Sequence, residues 1–228
     1  MIVVVGQPLY RETEAGTMVG GLPARIALAA AGHGRSVQLV GKAGEDAAGD
    51  ALVLALGRGG VGHVALLREA GRPTPQIGPM GDDTIEGNES PTEPIAIEEQ
   101  PADNDAMAAA ADVGPALEAA DVDLALRYLA EFAVVVLADR ANPEMVRVVA
   151  AAAGWADARL IAVVPAGEEE PAGLPPDAIV VEAPDADPDG VFAAMVGSFA
   201  AALDDGDEPA EAFRATLESR GWTQAQAE

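Results

Sequence analysis

The strongest constraint in this chain is a set of short apolar runs that do not alternate. Ile2-Val3-Val4-Val5 ends at Gly6, and the stretches 133–138 and 160–164 have the same form. A strand with one wet face alternates apolar and polar residues, so a run that is apolar throughout is covered on both faces. Helical patterns stand between the runs. Pro23 is placed to open a helix through Ala24, Ile26, Ala27 and Ala30 to Gly32, because the N–H it lacks is not needed there. Residues 46–56 carry Leu52 and Leu56 four apart, and Val122, Ala125, Leu126 and Leu129 share one helical face. Strands alternating with helices predict an α/β fold, a three-layer sandwich with a mostly parallel central sheet and helices on both faces.

The remaining elements complete a single domain over residues 1–228. Residues 36–40, 61–67 and 179–181 read as strands, and 6–21 as a loop. Asn142 is set to cap a helix with Pro143 in its first position and Gly154 past its end. Phe192, Met195, Val196, Phe199 and Leu203 mark a long core helix, followed by a more polar one over about 209–218. The stretch 73–105 is rich in Pro and acids and has no period beyond a strand candidate at Ile95-Ala96-Ile97, so it reads as an irregular arm or lid. In open sheets of this kind ligands lie beyond the carboxyl ends of strands, which points to the loops after Val5, Val40 and Val181.

Composition narrows the partners. Thirteen Lys and Arg face thirty-eight Asp and Glu, a net charge of −25, and Lys42 is the only lysine. That surface repels nucleic acid and anionic membranes and reads as a heavily hydrated acidic exterior. No apolar run is long enough to cross a bilayer, and the opening run is too short and lacks a basic flank for a signal peptide, so a cytoplasmic location is expected. Without Cys there are no disulfides, thiolate zinc sites or cysteine nucleophiles. His33 and His63 are too few for a site, and neither has a Ser partner at recognisable spacing. The acidic runs Glu168-Glu169-Glu170 and Asp204-Asp205 read as solvated turns.

One stretch is more specific. Gly20-Gly21-Leu22-Pro23-Ala24-Arg25-Ile26-Ala27, then Gly34, then Gly41-Lys42-Ala43-Gly44-Glu45-Asp46 and Gly49, resembles the N-terminal signature of the ribokinase-like (PfkB) carbohydrate kinases. In that family a Gly-Gly turn opens a helix carrying an Asn, and Gly-x-x-Gly-x-Asp-x-x-Gly starts the next helix. Gly59-Gly60-Val61 is similar to the family's Gly-Val before the following strand, so the likeness spans roughly seventy residues. The resemblance implies a ligand site beside Gly20, Gly21 and Arg25, and Asp46 is positioned to cap the second helix.

The closing segment is a weaker match. Ala183-Pro184-Asp185-Ala186-Asp187-Pro188-Asp189-Gly190-Val191-Phe192 resembles the family's Asp-Thr-x-Gly-Ala-Gly-Asp-x-Phe, whose glycines form an anion hole and whose last Asp is the general base. Aligned on Phe192, Gly190 stands at the base; a shift of one restores a carboxylate through Asp189, the catalytic candidate. Pro188 has no N–H to give, and carboxylates stand where glycines belong. Arg25 replaces the substrate-binding Asn, the loop 7–11 lacks the sugar-gripping Asp, and the Thr-x-Gly-x-x-Gly nucleotide loop is missing between Pro165 and Ile179. Arg25 has two readings: it binds a carboxylate or phosphate, or it pairs with a nearby acid. Asp185, Asp187 and Asp189 with Gly190 reproduce half of a calcium loop, but the twelfth position is Val196 rather than Glu, which favours an acidic helix start.

Three functional readings follow. The first is a non-catalytic or nearly inactive ribokinase-like protein, needing no cofactor, that binds a small polar ligand or a partner through the Gly-rich face. The second is a sugar or nucleoside kinase using Asp189, ATP and magnesium. The third is a homodimeric scaffold whose acidic arm makes the contacts.

Overall fold

The computed structural model describes residues 1–13, 16–77, 114–129 and 131–219. Its central sheet is built on β1 (Ile2–Val5), flanked by β4 (Val37–Gly44) on one side and β8 (Val134–Leu137) on the other. Outward from β8 come β9 (Arg159–Pro165) and β10 (Ile179–Ala183). Two short strands, β5 (Val61–Gly62) and β6 (Leu66–Glu69), pair with successive parts of β4. Every pairing in this sheet is parallel among the described residues.

The continuous apolar runs follow from burial on two sides. Ile2 and Val4 face α1 (Leu22–Gly32), α2 (Ala47–Arg58), α5 (Val191–Asp204) and α6 (Pro209–Ser219). Val3 and Val5 face α3 (Ala119–Tyr128) and α4 (Pro143–Ala156), and all four β1 side chains are fully buried. Each such side chain contributes about 1.5–3 kcal/mol of apolar burial. The small residues bring helices close together: a Cβ on Gly197 would lie 2.6 Å from Cβ of Ala29 and 2.8 Å from the nitrogen of Ala30, so α5 sits directly on α1.

Three expectations change. Residues 6–21 are not a plain loop: β2 (Leu9–Thr13) and β3 (Gly16–Gly20) form an antiparallel hairpin, and β7 (Gln76–Ile77) joins β2 in parallel to make a second, three-stranded sheet. Leu9-Tyr-Arg-Glu-Thr carries little apolar alternation, so the hairpin rests on the packing of Leu9 rather than on a readable pattern. The proposed arm does not begin at Pro73, because Thr74 is buried and β7 is paired; the remainder, with Ile95–Ile97, lies outside the described residues. Gly154 lies inside α4, and the left-handed cap falls on Asp157 at φ 53°, whose N–H bonds the carbonyl of Ala153.

At the other end of α4, Asn142 accepts a hydrogen bond from the Met145 N–H at 2.8 Å with Pro143 behind it. Asn142→Ala is expected to remove about 1 kcal/mol, which thermal denaturation reads as a fall of about 2–4 °C in Tm.

Candidate functional site

The carboxyl ends of the parallel strands gather the loops and helix N-termini, those of α1 and α5 among them. Gly21 caps α1 at φ 80°, and a Cβ there would lie 3.2 Å from the carbonyl of Gln7, so the Gly-Gly turn lets the helix start against the loop after β1. Gly20 ends β3 opposite Leu9, and Arg25 stands in the first turn of α1. The guanidinium of Arg25 does not face an open pocket. It donates to the carbonyl oxygens of Asp187 at 2.5 Å and Pro188 at 3.3 Å, with the Asp187 carboxylate 3.9 Å away.

That loop leads into α5, whose cap is Gly190 at φ 73°. The carboxylate of Asp187 turns back over the helix end: Oδ1 accepts from the N–H of Phe192 and Oδ2 from the N–H of Ala193, both at 3.0 Å. The unpaired N–H groups of a first helical turn and the positive end of its dipole are what an anion would use, and a side chain of the protein fills both. Beside it opens a cavity of about 560 Å³ at the ends of β9 and β10, lined by Glu182, Asp187, Pro188, Asp189 and Phe192 among others. Asp189 is exposed on its rim. Asp185, Asp187 and Asp189 do not converge as a calcium loop would: Asp187 is committed to the helix, Asp185 and Asp189 are exposed, and no three His, Cys, Asp or Glu side chains come together to hold a metal among the described residues.

A second feature lies where the sheet changes direction. From β1 the chain crosses through α1 to β4 on one face, and from β8 through α4 to β9 on the other, which makes the gap between β1 and β8 the topological switch point. There the N–H of Gln7 donates to Asp139 at 2.8 Å. Burial pushes the Asp139 carboxyl up, against the N–H groups of Gln7 and Arg140 and the charge of Arg140. The Gln7 amide donates to the carbonyl of Lys42, while its oxygen is buried without a partner; Nε of Arg11 on β2 is likewise buried and unpartnered among the described residues. The sequence pointed to the loop after Val5 but did not single out Gln7, and it did not mark Asp139, because a switch point is defined by strand order.

The motif acids and bases near Lys42 and Asp46 hold structure. Lys42 bridges Asp121 at 2.8 Å and Glu69 at 3.2 Å; its hydrogen bond to Asp121, acting against burial, and that to Glu69 raise its pKa. Asp46 caps α2 through the N–H of Gly49 at 2.8 Å. It also accepts the N–H of Thr74 at 2.8 Å and its hydroxyl at 2.6 Å, which ties the strand entering the small sheet to the helix. His33 is exposed, as expected, and meets a serine far along the chain: Nε2 lies 2.9 Å from Oγ of Ser198, whose hydroxyl donates to the Ala194 carbonyl one turn back on α5.

Solved structures share the fold. A ribokinase from Arabidopsis thaliana, complexed with ribose and ATP, superposes with a TM-score of 0.59 at 18% identity over 94% of this chain and 89% of that one. The fold is that of the ribokinases. A PfkB protein from a Polaromonas species gives a TM-score of 0.61 at 12% identity, covering 98% of this chain and 96% of that one. No family profile matches the sequence. No curated protein sequence matches it significantly. In this ribokinase-like frame the small sheet of β2, β3 and β7 stands over the carboxyl ends beside α1 and α2, and no described helix is long and apolar enough to cross a membrane.

Proposed function

We propose that this ribokinase-like protein is non-catalytic and binds a small polar ligand between the small sheet and the carboxyl ends of β1 and β8. The observation that carries the first half is the Asp187 carboxylate on the N–H groups of Phe192 and Ala193. A phosphate brought to that helix end meets a fixed negative charge, at about 1 kcal/mol or more of repulsion within a few ångströms even in a well-solvated site. Arg25, a group that would otherwise offset such charge, is engaged with the same loop. The base of the kinase reading, Asp189, stands exposed on the cavity rim.

The buried, unpartnered oxygen of Gln7 and Nε of Arg11 support the ligand half. Among the described residues an acceptor and a donor are thus left unpaired in the interior, at roughly 1–3 kcal/mol each, and a hydroxylated or amide-bearing molecule carries groups of both complementary kinds. Asp139, with its raised pKa, adds a carboxyl at the switch point. Millimolar ATP with magnesium is therefore expected to leave Tm unchanged in a thermal-shift measurement, since a ligand that binds the folded state must raise it. A clear upward shift would return the protein to the kinases.

A further inference from the structure

We propose that the outer edge of β10 and the apolar groove beside it form a docking site for an extended basic peptide segment of a partner protein. β10 ends the sheet: its inner edge pairs with β9, and no described strand pairs with its outer edge. Its apolar residues Ile179, Val180 and Val181 are only half-buried, unlike those of β1 or β8. Next to them runs a groove of about 560 Å³, walled by Val181 from the sheet, by Met195 and Phe199 from α5 and by Ala210, Phe213 and Leu217 from α6. Phe213 is 38% exposed there, its ring edge-on to Phe199 at 5.6 Å. An open strand edge beside an apolar trough is the arrangement that takes up an added strand, with main-chain pairing for affinity and alternate side chains in the trough.

Charge selects the occupant. Across residues 166–191 and 205–219, which frame the edge and the groove, Arg214 is the only Lys or Arg, while the acids include Asp177, Glu182, Glu211 and Glu218; Glu168 is paired with Arg140. Glu182 lies on the edge strand itself and is exposed. A second copy would bring the same acids against one another, and each copy carries a net −25. A strand with apolar residues on one face and Lys or Arg on the other fills the groove and meets the acidic rim.

A fluorescently labelled peptide of alternating Val and Lys tests this by anisotropy, against an alternating Val and Glu peptide of equal length. The Val-Lys peptide is expected to bind, and the Val-Glu peptide is not. Phe213→Glu, a change at a partly exposed position, is expected to weaken binding about tenfold or more. Val181→Pro, which disrupts the strand edge, serves as a second variant, with circular dichroism confirming that both remain folded. Equal binding of the two peptides, or unchanged binding by Phe213→Glu, would overturn the proposal. So would a concentration-dependent dimer that Phe213→Glu abolishes, which assigns the edge to a second copy. Peptide binding that appears only after removal of residues 220–228 would overturn it as well, giving the groove to the chain's own C-terminal segment.

Discussion

Asp46→Ala is expected to destabilise the protein by about 3 kcal/mol, the sum of a lost helix cap and buried donors left without an acceptor. The carboxylate accepts three hydrogen bonds, from the N–H of Gly49, the N–H of Thr74 and the Thr74 hydroxyl. Thr74 is 2% exposed, so water does not readily replace the carboxylate at its hydroxyl. For a domain of this size the loss reads as a fall in Tm of about 6–12 °C. Thr74→Val removes the hydroxyl alone and is expected to cost less; combined with Asp46→Ala it should add little, because the two share one network. Full additivity in that cycle would show that the pair does not act as a unit.

The same carboxylate sets a pH dependence. Burial works against ionisation of Asp46, but the hydrogen bonds of Thr74 and Gly49 and the charge of Arg68 outweigh it and hold its pKa below the usual carboxylate range. Asp204 is depressed in the same way: burial opposes it, and the terminal amine of Met1 and Arg35, at 2.6 Å each, prevail. A carboxyl whose folded pKa is lowered contributes stability that is present above its unfolded pKa and is lost as pH falls through the folded value. Asp139, raised by burial, has the opposite sign: its contribution is present at low pH and is lost as pH rises through its folded pKa. The acid limb of a stability–pH curve should therefore be shallower in Asp46→Ala than in the parent.

The sequence disclosed those parts of the fold in which local chemistry and tertiary position agree. Residues 2–5 needed two covered faces and have them; Pro23 and Asp46 begin the helices their residue types favour. Where the deciding factor was distant, the sequence was silent. The β2–β3 hairpin has no strong alternation, and its third strand comes from residues 76–77, far along the chain. Asp139 gains its character from β8 lying beside β1, and His33 meets Ser198 across 165 residues. At the candidate site the departures from the family pattern were legible, since Pro188 and Asp187 stand where glycines belong. That Asp187 rather than Asp189 closes the helix end depends on how the loop folds back over α5, which the sequence does not display.

That closure is the central claim, and replacing Asp187 and Pro188 together with Gly tests it. The double substitution removes the carboxylate, frees the N–H groups of Phe192 and Ala193, and adds an N–H at position 188. It also releases the Arg25 guanidinium from its pairing with the Asp187 side chain, leaving a positive charge beside an open helix end. The direct measurement is calorimetric titration of the parent and the double variant with sulfate and with magnesium ATP. The account predicts no binding by the parent and weak, millimolar-range anion binding by the variant. Saturable binding of magnesium ATP by the parent chain would contradict it.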